Sequence, residues 1–82
     1  MGFLLRDKPA KVFLLLKSRS TYLSDIAKET GTTYVYITNL ASLLQQKGLV
    51  TIQAAGKKKT VALTEKGKEI ASAVEELRRK LE

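Results

Sequence analysis

The 82-residue chain contains no cysteine, no histidine and no tryptophan. Without thiols or imidazoles it lacks the commonest zinc ligands, the thiol nucleophile and the usual proton shuttle near neutral pH. No disulfide can form, so nothing points to a cross-linked secreted fold. Long apolar runs are missing as well. Phe3, Leu4 and Leu5 are followed at once by Arg6, Asp7 and Lys8, too short and too interrupted a stretch for a signal peptide or a membrane span. Elimination leaves the expectation of a cytoplasmic protein with no metal, no cofactor and no membrane partner. Asp25 and Glu29, four apart on one helix, read as ordinary surface acids with Lys28 between them rather than as metal ligands, and no enzymatic role is expected.

Acidic residues are few, 8 against 15 basic ones, for a net charge of +7. The imbalance is uneven along the chain. Residues 1 to 64 carry ten basic and three acidic groups, whereas residues 65 to 82 carry five of each. A basic head on a neutral tail is the charge pattern of a protein with a polyanionic partner. The hydrophobic fraction of 44% is mostly aliphatic and supports one small core, so a single domain over 1–82 is expected, with its core in 8–64 and a last helix over 65–81.

Asp7 can cap a helix over about Lys8 to Ser18 whose first turn tolerates Pro9. Its interior, Val12-Phe13-Leu14-Leu15-Leu16, is apolar on more than one face. Either this helix meets a second surface, or the run is a short strand. Ser20 and Thr21 form a polar break, and Ser24 can cap a short helix from Asp25 to Thr30 that Gly31 ends. Thr32 or Thr33 then caps a helix reaching about Lys47, with Ile37, Leu40, Ala41 and Leu44 on one face. After Gly48 the period becomes two. Val50, Ile52 and Ala54 form one strand, Val61 and Leu63 another, and Ala55-Gly56-Lys57-Lys58-Lys59 the hairpin tip. Thr64 caps the last helix, with Glu65 at its positive end, Arg78, Arg79 and Lys80 at its negative end, and Gly67 weakening its first turn.

The informative stretch is Leu23 to Thr33. Two short helices crossing steeply need a small residue at closest approach, which Ala27 supplies, and a left-handed residue in the turn, which Gly31 supplies four positions later. Ile37 and Leu40 then return to the same core. With Leu43-Leu44-Gln45-Gln46-Lys47-Gly48-Leu49-Val50 and Leu63-Thr64-Glu65-Lys66-Gly67, this pattern resembles the winged helix-turn-helix superfamily. The likeness is greatest to the small prokaryotic transcription regulators of the MarR and PadR kind. It covers about residues 10 to 70. The resemblance implies an α+β fold: three helices and a two-stranded β-hairpin wing, with an additional C-terminal helix for dimerisation. It further implies Ala27 and Gly31 in the helix crossing, residues 33 to 47 as the recognition helix, and Lys57 to Lys59 on the wing. The chain departs from the pattern at Asn39, about where many relatives carry an arginine.

These residues make a double-stranded DNA-binding regulator the leading expectation. Thr33, Tyr34, Tyr36, Asn39 and Ser42 would face the major groove, with Asn39 able to read an adenine edge. Lys57, Lys58 and Lys59 would hold phosphates or the minor groove from the wing, and Lys47, Lys28, Lys17 and Arg19 are further backbone contacts. Ile70, Val74, Leu77 and Leu81, three or four apart, are expected to pair two last helices into a homodimer, with Phe3 and Leu4 adding to the seam. Two other uses of the same fold remain in play: a non-specific architectural DNA-binding protein and a protein-interaction module.

Overall fold

The apolar run Val12 to Leu16 folds as the middle of a helix. In the computed structural model, which describes residues 7–81, α1 spans Asp7–Ser18. Val12, Phe13 and Leu16 are buried while Leu14 and Leu15 are half-buried. The helix needs more than one apolar face because three later elements surround it. These are a second helix, the last helix and a strand of the sheet.

The chain continues as β1 (Thr21–Tyr22), α2 (Leu23–Thr30), α3 (Tyr34–Gln46), β2 (Val50–Ala55), β3 (Lys58–Leu63) and α4 (Glu65–Leu81). Two details differ from expectation at β1. The residues read as a polar break pair antiparallel with β3, Thr21 opposite Val61 and Tyr22 opposite Thr60, so the sheet has three strands in the order β1-β3-β2. Because β1 holds Tyr22 in an extended conformation, α2 begins directly at Leu23. Ser24 therefore lies inside the first turn and is not its cap.

The helix crossing follows the sequence closely. Gly31 has φ of +66°, its amide donates to the Lys28 carbonyl at 3.4 Å, and the Thr32 amide donates to the Ala27 carbonyl at 3.0 Å. This closes α2 with a left-handed residue and a six-to-one hydrogen bond. Thr33 then caps α3, its hydroxyl accepting from the Tyr36 amide at 3.0 Å. Ile26 and Ala27 of α2 and Ile37, Leu40, Ala41 and Leu44 of α3 are all buried in one core with Phe13, Leu49 and Val61.

In the hairpin, β2 and β3 pair from Val50 opposite Leu63 to Ala55 opposite Lys58. Burial fades along the core-facing row: Val50 is buried, Ile52 half-buried and Ala54 exposed. The outer half of the ribbon thus projects beyond the helices.

The start of α4 is pinned to the junction between α3 and β2. The Thr64 amide donates to the Leu49 carbonyl at 3.0 Å and the Thr64 hydroxyl to the Gly48 carbonyl at 2.7 Å. The same hydroxyl accepts from the Gly67 amide at 3.0 Å, which makes Thr64 the cap of the helix. Gly67 is buried here, and a Cβ at this position would stand 2.0 Å from the Leu49 carbonyl oxygen. The residue read as a weak spot in a helix is therefore a requirement of close packing.

Further along α4, Ala71 and Val74 are buried and Ile70 is half-buried against the core. Val74 is thus part of the domain's own core, where it has little surface left for the expected seam between subunits, and Ile70 packs partly against that core. The reason is that α4 lies back along α1. Lys17 meets Glu75 at 2.7 Å and Arg78 meets Asp7 at 3.5 Å. Glu75 is thereby matched across the fold to Lys17, while Glu76 pairs along the helix with Lys80 at 3.7 Å.

The Lys17 ammonium, through its hydrogen bond and its charge, holds the Glu75 carboxyl below its ordinary value of 4.5, with Arg79 adding to the effect and desolvation opposing it. A depressed carboxylate contributes stability above its unfolded-state pKa and loses it as the pH falls through the folded-state value. Glu75→Gln is therefore expected to melt below the wild type at neutral pH. The two should converge as the pH is taken well below 4.5 in thermal unfolding series. A difference that persists at acid pH would mean that Glu75 acts through packing.

Candidate nucleic-acid interface

A helix turns by about 100° per residue. With Ile37, Leu40, Ala41 and Leu44 inward, the side of α3 facing away from the core carries Val35, Asn39, Ser42 and Gln46, all exposed. Tyr34 and Tyr36 fall on its two flanks. Tyr34 is 51% exposed, whereas Tyr36, one position before the buried Ile37, is half-buried and packs on the core. The expected outward direction of Tyr36 is corrected accordingly.

Of the groove-facing residues expected from sequence, α3 and its cap bring Thr33, Tyr34, Asn39 and Ser42 to one surface. Val35 and Leu43, at 68% and 39% exposure, join them there. Two hydroxyls are already engaged by the helix: Thr33 as its cap, and Thr38 donating to the Tyr34 carbonyl at 2.9 Å. Asn39 and Ser42 make no side-chain hydrogen bond among the described residues. The segment 33–46 contains no charged side chain at all, so neither repulsion nor a fixed counter-ion governs what lies against it.

The wing adjoins α3 through β2. Its turn is Gly56-Lys57, and Lys58 and Lys59 open β3, so the expected tip of five residues is shorter and two of its lysines are strand residues. Successive strand side chains point to opposite faces of the ribbon. Lys58 shares a face with Thr60, the partner of Tyr22, and its ammonium lies 4.8 Å from the Tyr22 ring centre. This cation–π contact steadies one wing lysine. Lys57 and Lys59 are exposed and make no ion pair among the described residues. Tyr22 escaped the sequence reading because a strand of two residues has no period.

The remaining cations divide. Lys47 follows the end of α3, exposed, and its carbonyl accepts from the Lys66 ammonium at 3.5 Å, which brings a second lysine to the base of the helix. Lys28 is exposed near the end of α2. Lys17 and Arg19, by contrast, have acidic partners within the fold, Glu75 and Glu29 respectively. They act as links between elements. As backbone contacts they would have to exchange these carboxylates for phosphates.

No protein-family model and no curated protein matches the chain in sequence. Its fold, however, is shared with solved structures. A protein from Archaeoglobus fulgidus superposes with a TM-score of 0.79 at 20% identity, over 99% of this chain and 96% of that one. MepR, a transcription regulator of the Staphylococcus aureus multidrug efflux pump MepA, superposes with a TM-score of 0.85 at 20% identity, over 98% of this chain and 62% of its own. The YusO protein of Bacillus subtilis does so with a TM-score of 0.77 at 28% identity, over 89% and 56%. The chain thus spans less than two thirds of the length of MepR and YusO. Among the described residues, four helices and an antiparallel sheet ending in a hairpin wing give this chain a winged helix-turn-helix fold, which it shares with the transcription regulator MepR.

Proposed function

We propose that the protein is a transcriptional regulator that binds double-stranded DNA, with α3 in the major groove and the lysines of the β2–β3 turn on flanking phosphates. The observation that carries this reading is the pairing of a solvent-facing helix surface free of charge with an adjoining ribbon whose end bears Lys57, Lys58 and Lys59. A major groove about 12 Å wide admits one helix, and base edges there are read by amide and apolar groups such as those of α3. Cations on the ribbon meet the backbone without reading sequence. The transcription-regulator neighbour MepR, of the same fold, supports this choice over catalysis.

The functional unit in this proposal is a homodimer. With Val74 buried and Ile70 half-buried against the domain core, the exposed large apolar residues on α4 are Leu77 and Leu81, at 42% and 72% exposure. They lie four apart on the same side of the helix end. Phe3 and Leu4, also expected at the seam, lie outside the described residues. Replacing Leu77 and Leu81 together by glutamate is expected to convert the dimer to a monomer in sedimentation equilibrium while the melting temperature moves by only a few degrees. A wild-type monomer at micromolar concentration would remove this part of the proposal.

Selection of bound duplexes from a random pool tests the function as a whole. Enrichment of paired half-sites about one helical turn, or ~34 Å, apart is the expected result. Tight binding with no enriched sequence would favour the architectural alternative. Absence of binding to any duplex would favour a protein-contact module.

A further inference from the structure

The most exposed apolar side chain of α3 lies on the side of the helix opposite its buried face. Val35 is 68% exposed and shares its stripe with Asn39, four residues on. Among the described residues it belongs neither to the buried core nor to the partly buried residues packed against it. The nearby polar groups are unevenly available: the hydroxyls of Thr33 and Thr38 are engaged by backbone atoms of α3, while the Asn39 amide has no partner among the described residues. The foremost part of the helix therefore presents one branched apolar group and one free carboxamide. Four residues of helix advance about 6 Å, close to the rise of two base pairs at ~3.4 Å each.

In the major groove the apolar group offered by a base edge is the C5-methyl of thymine, and a carboxamide matches the adenine edge with two hydrogen bonds. Resting on the duplex-binding reading above, we infer that Val35 is a specificity-determining residue that packs on a thymine methyl. Asn39 reads an adenine about two base pairs away in the same half-site. The recognised half-site thus has A·T base pairs at its centre. This explains how a recognition surface without arginine can still discriminate. Its outer stripe carries no group suited to the two acceptors of guanine as a guanidinium is, so G·C pairs at these positions offer it less.

The test uses the duplex enriched from a random pool by the wild-type protein, synthesised once with thymine and once with deoxyuridine, which lacks only the C5-methyl. Affinities are measured for the wild type and for Val35→Ala, a change at an exposed helical position where alanine favours the helix. Wild type is expected to lose about fourfold in affinity per contacted methyl when uracil replaces thymine, the worth of one buried methyl-sized group. Val35→Ala is expected to lose a similar factor on the thymine duplex and to be indifferent to the exchange. Enrichment of G·C half-sites, equal wild-type binding to both duplexes, or a methyl effect that survives in Val35→Ala would each overturn the inference while leaving duplex binding in place. Failure of the wild type to bind any duplex would overturn the functional reading itself, and the inference with it.

Discussion

Replacing Lys57, Lys58 and Lys59 together by glutamine is expected to lower affinity for duplex DNA at least about a hundredfold near 0.1 M salt and to make the log–log salt slope shallower by roughly 2.7 per subunit, or roughly 5.4 for the homodimer, since each neutralised phosphate contributes about 0.9. The loss should be nearly the same for any duplex sequence, because phosphate contacts position the protein without reading bases. Lys58 should contribute somewhat more than its neighbours. Its ammonium is already held 4.8 Å from the Tyr22 ring centre, so less side-chain freedom is lost on binding. All three side chains are exposed and none takes part in an ion pair among the described residues, so the melting temperature should stay near that of the wild type. Fluorescence anisotropy at several salt concentrations, with thermal unfolding as control, separates the two effects. Unchanged affinity in the triple variant would take the wing out of the interface.

Gly67→Ala carries the largest expected effect on stability, and its sign is diagnostic. On an open helical surface this change would stabilise by about 0.5–1 kcal/mol, because alanine is the better helix former. Here the new Cβ would stand 2.0 Å from the Leu49 carbonyl oxygen, which is backbone and also accepts the Thr64 amide. Either α4 moves off the α3–β2 junction or that hydrogen bond opens. A destabilisation of about 3 kcal/mol is expected, at the upper end of overpacking costs. For a domain of this size that is a fall in melting temperature of about 15 °C. An increase in stability would show that α4 does not pack this closely, and would reopen the arrangement that sets Leu77 and Leu81 free at its end.

Much of this architecture was legible in the residues because local geometry leaves local marks. Ala27 and Gly31 stand four apart because one crossing and one left-handed turn require it, and the period of two in Val50, Ile52, Val61 and Leu63 exists because one face of a ribbon is covered. What escaped depends on contacts between distant segments. Strand β1 is two residues long and has no pattern of its own; only its partner β3 defines it. Gly67 is dictated by a carbonyl eighteen residues earlier. Lys17 and Arg19 look like free cations in sequence, yet their counter-ions arrive from α4 and α2.

Two features of α3 follow from helical angles alone. Tyr36 adjoins Ile37 and so must sit on a flank. Val35, although apolar, lies opposite the buried face. At a binding surface the ordinary link between apolar character and burial fails, and position on the helix is the better guide.

The measurement that tests the central claim most directly is an equilibrium titration of a fluorescent duplex with the wild-type protein across a range of salt concentrations. With three wing lysines and at least two further cations near α3 in each subunit, about ten in the homodimer, affinity should fall with a log–log slope of about −9. Binding that is absent at low salt, or that does not respond to salt, would contradict the assignment of this winged helix to double-stranded DNA.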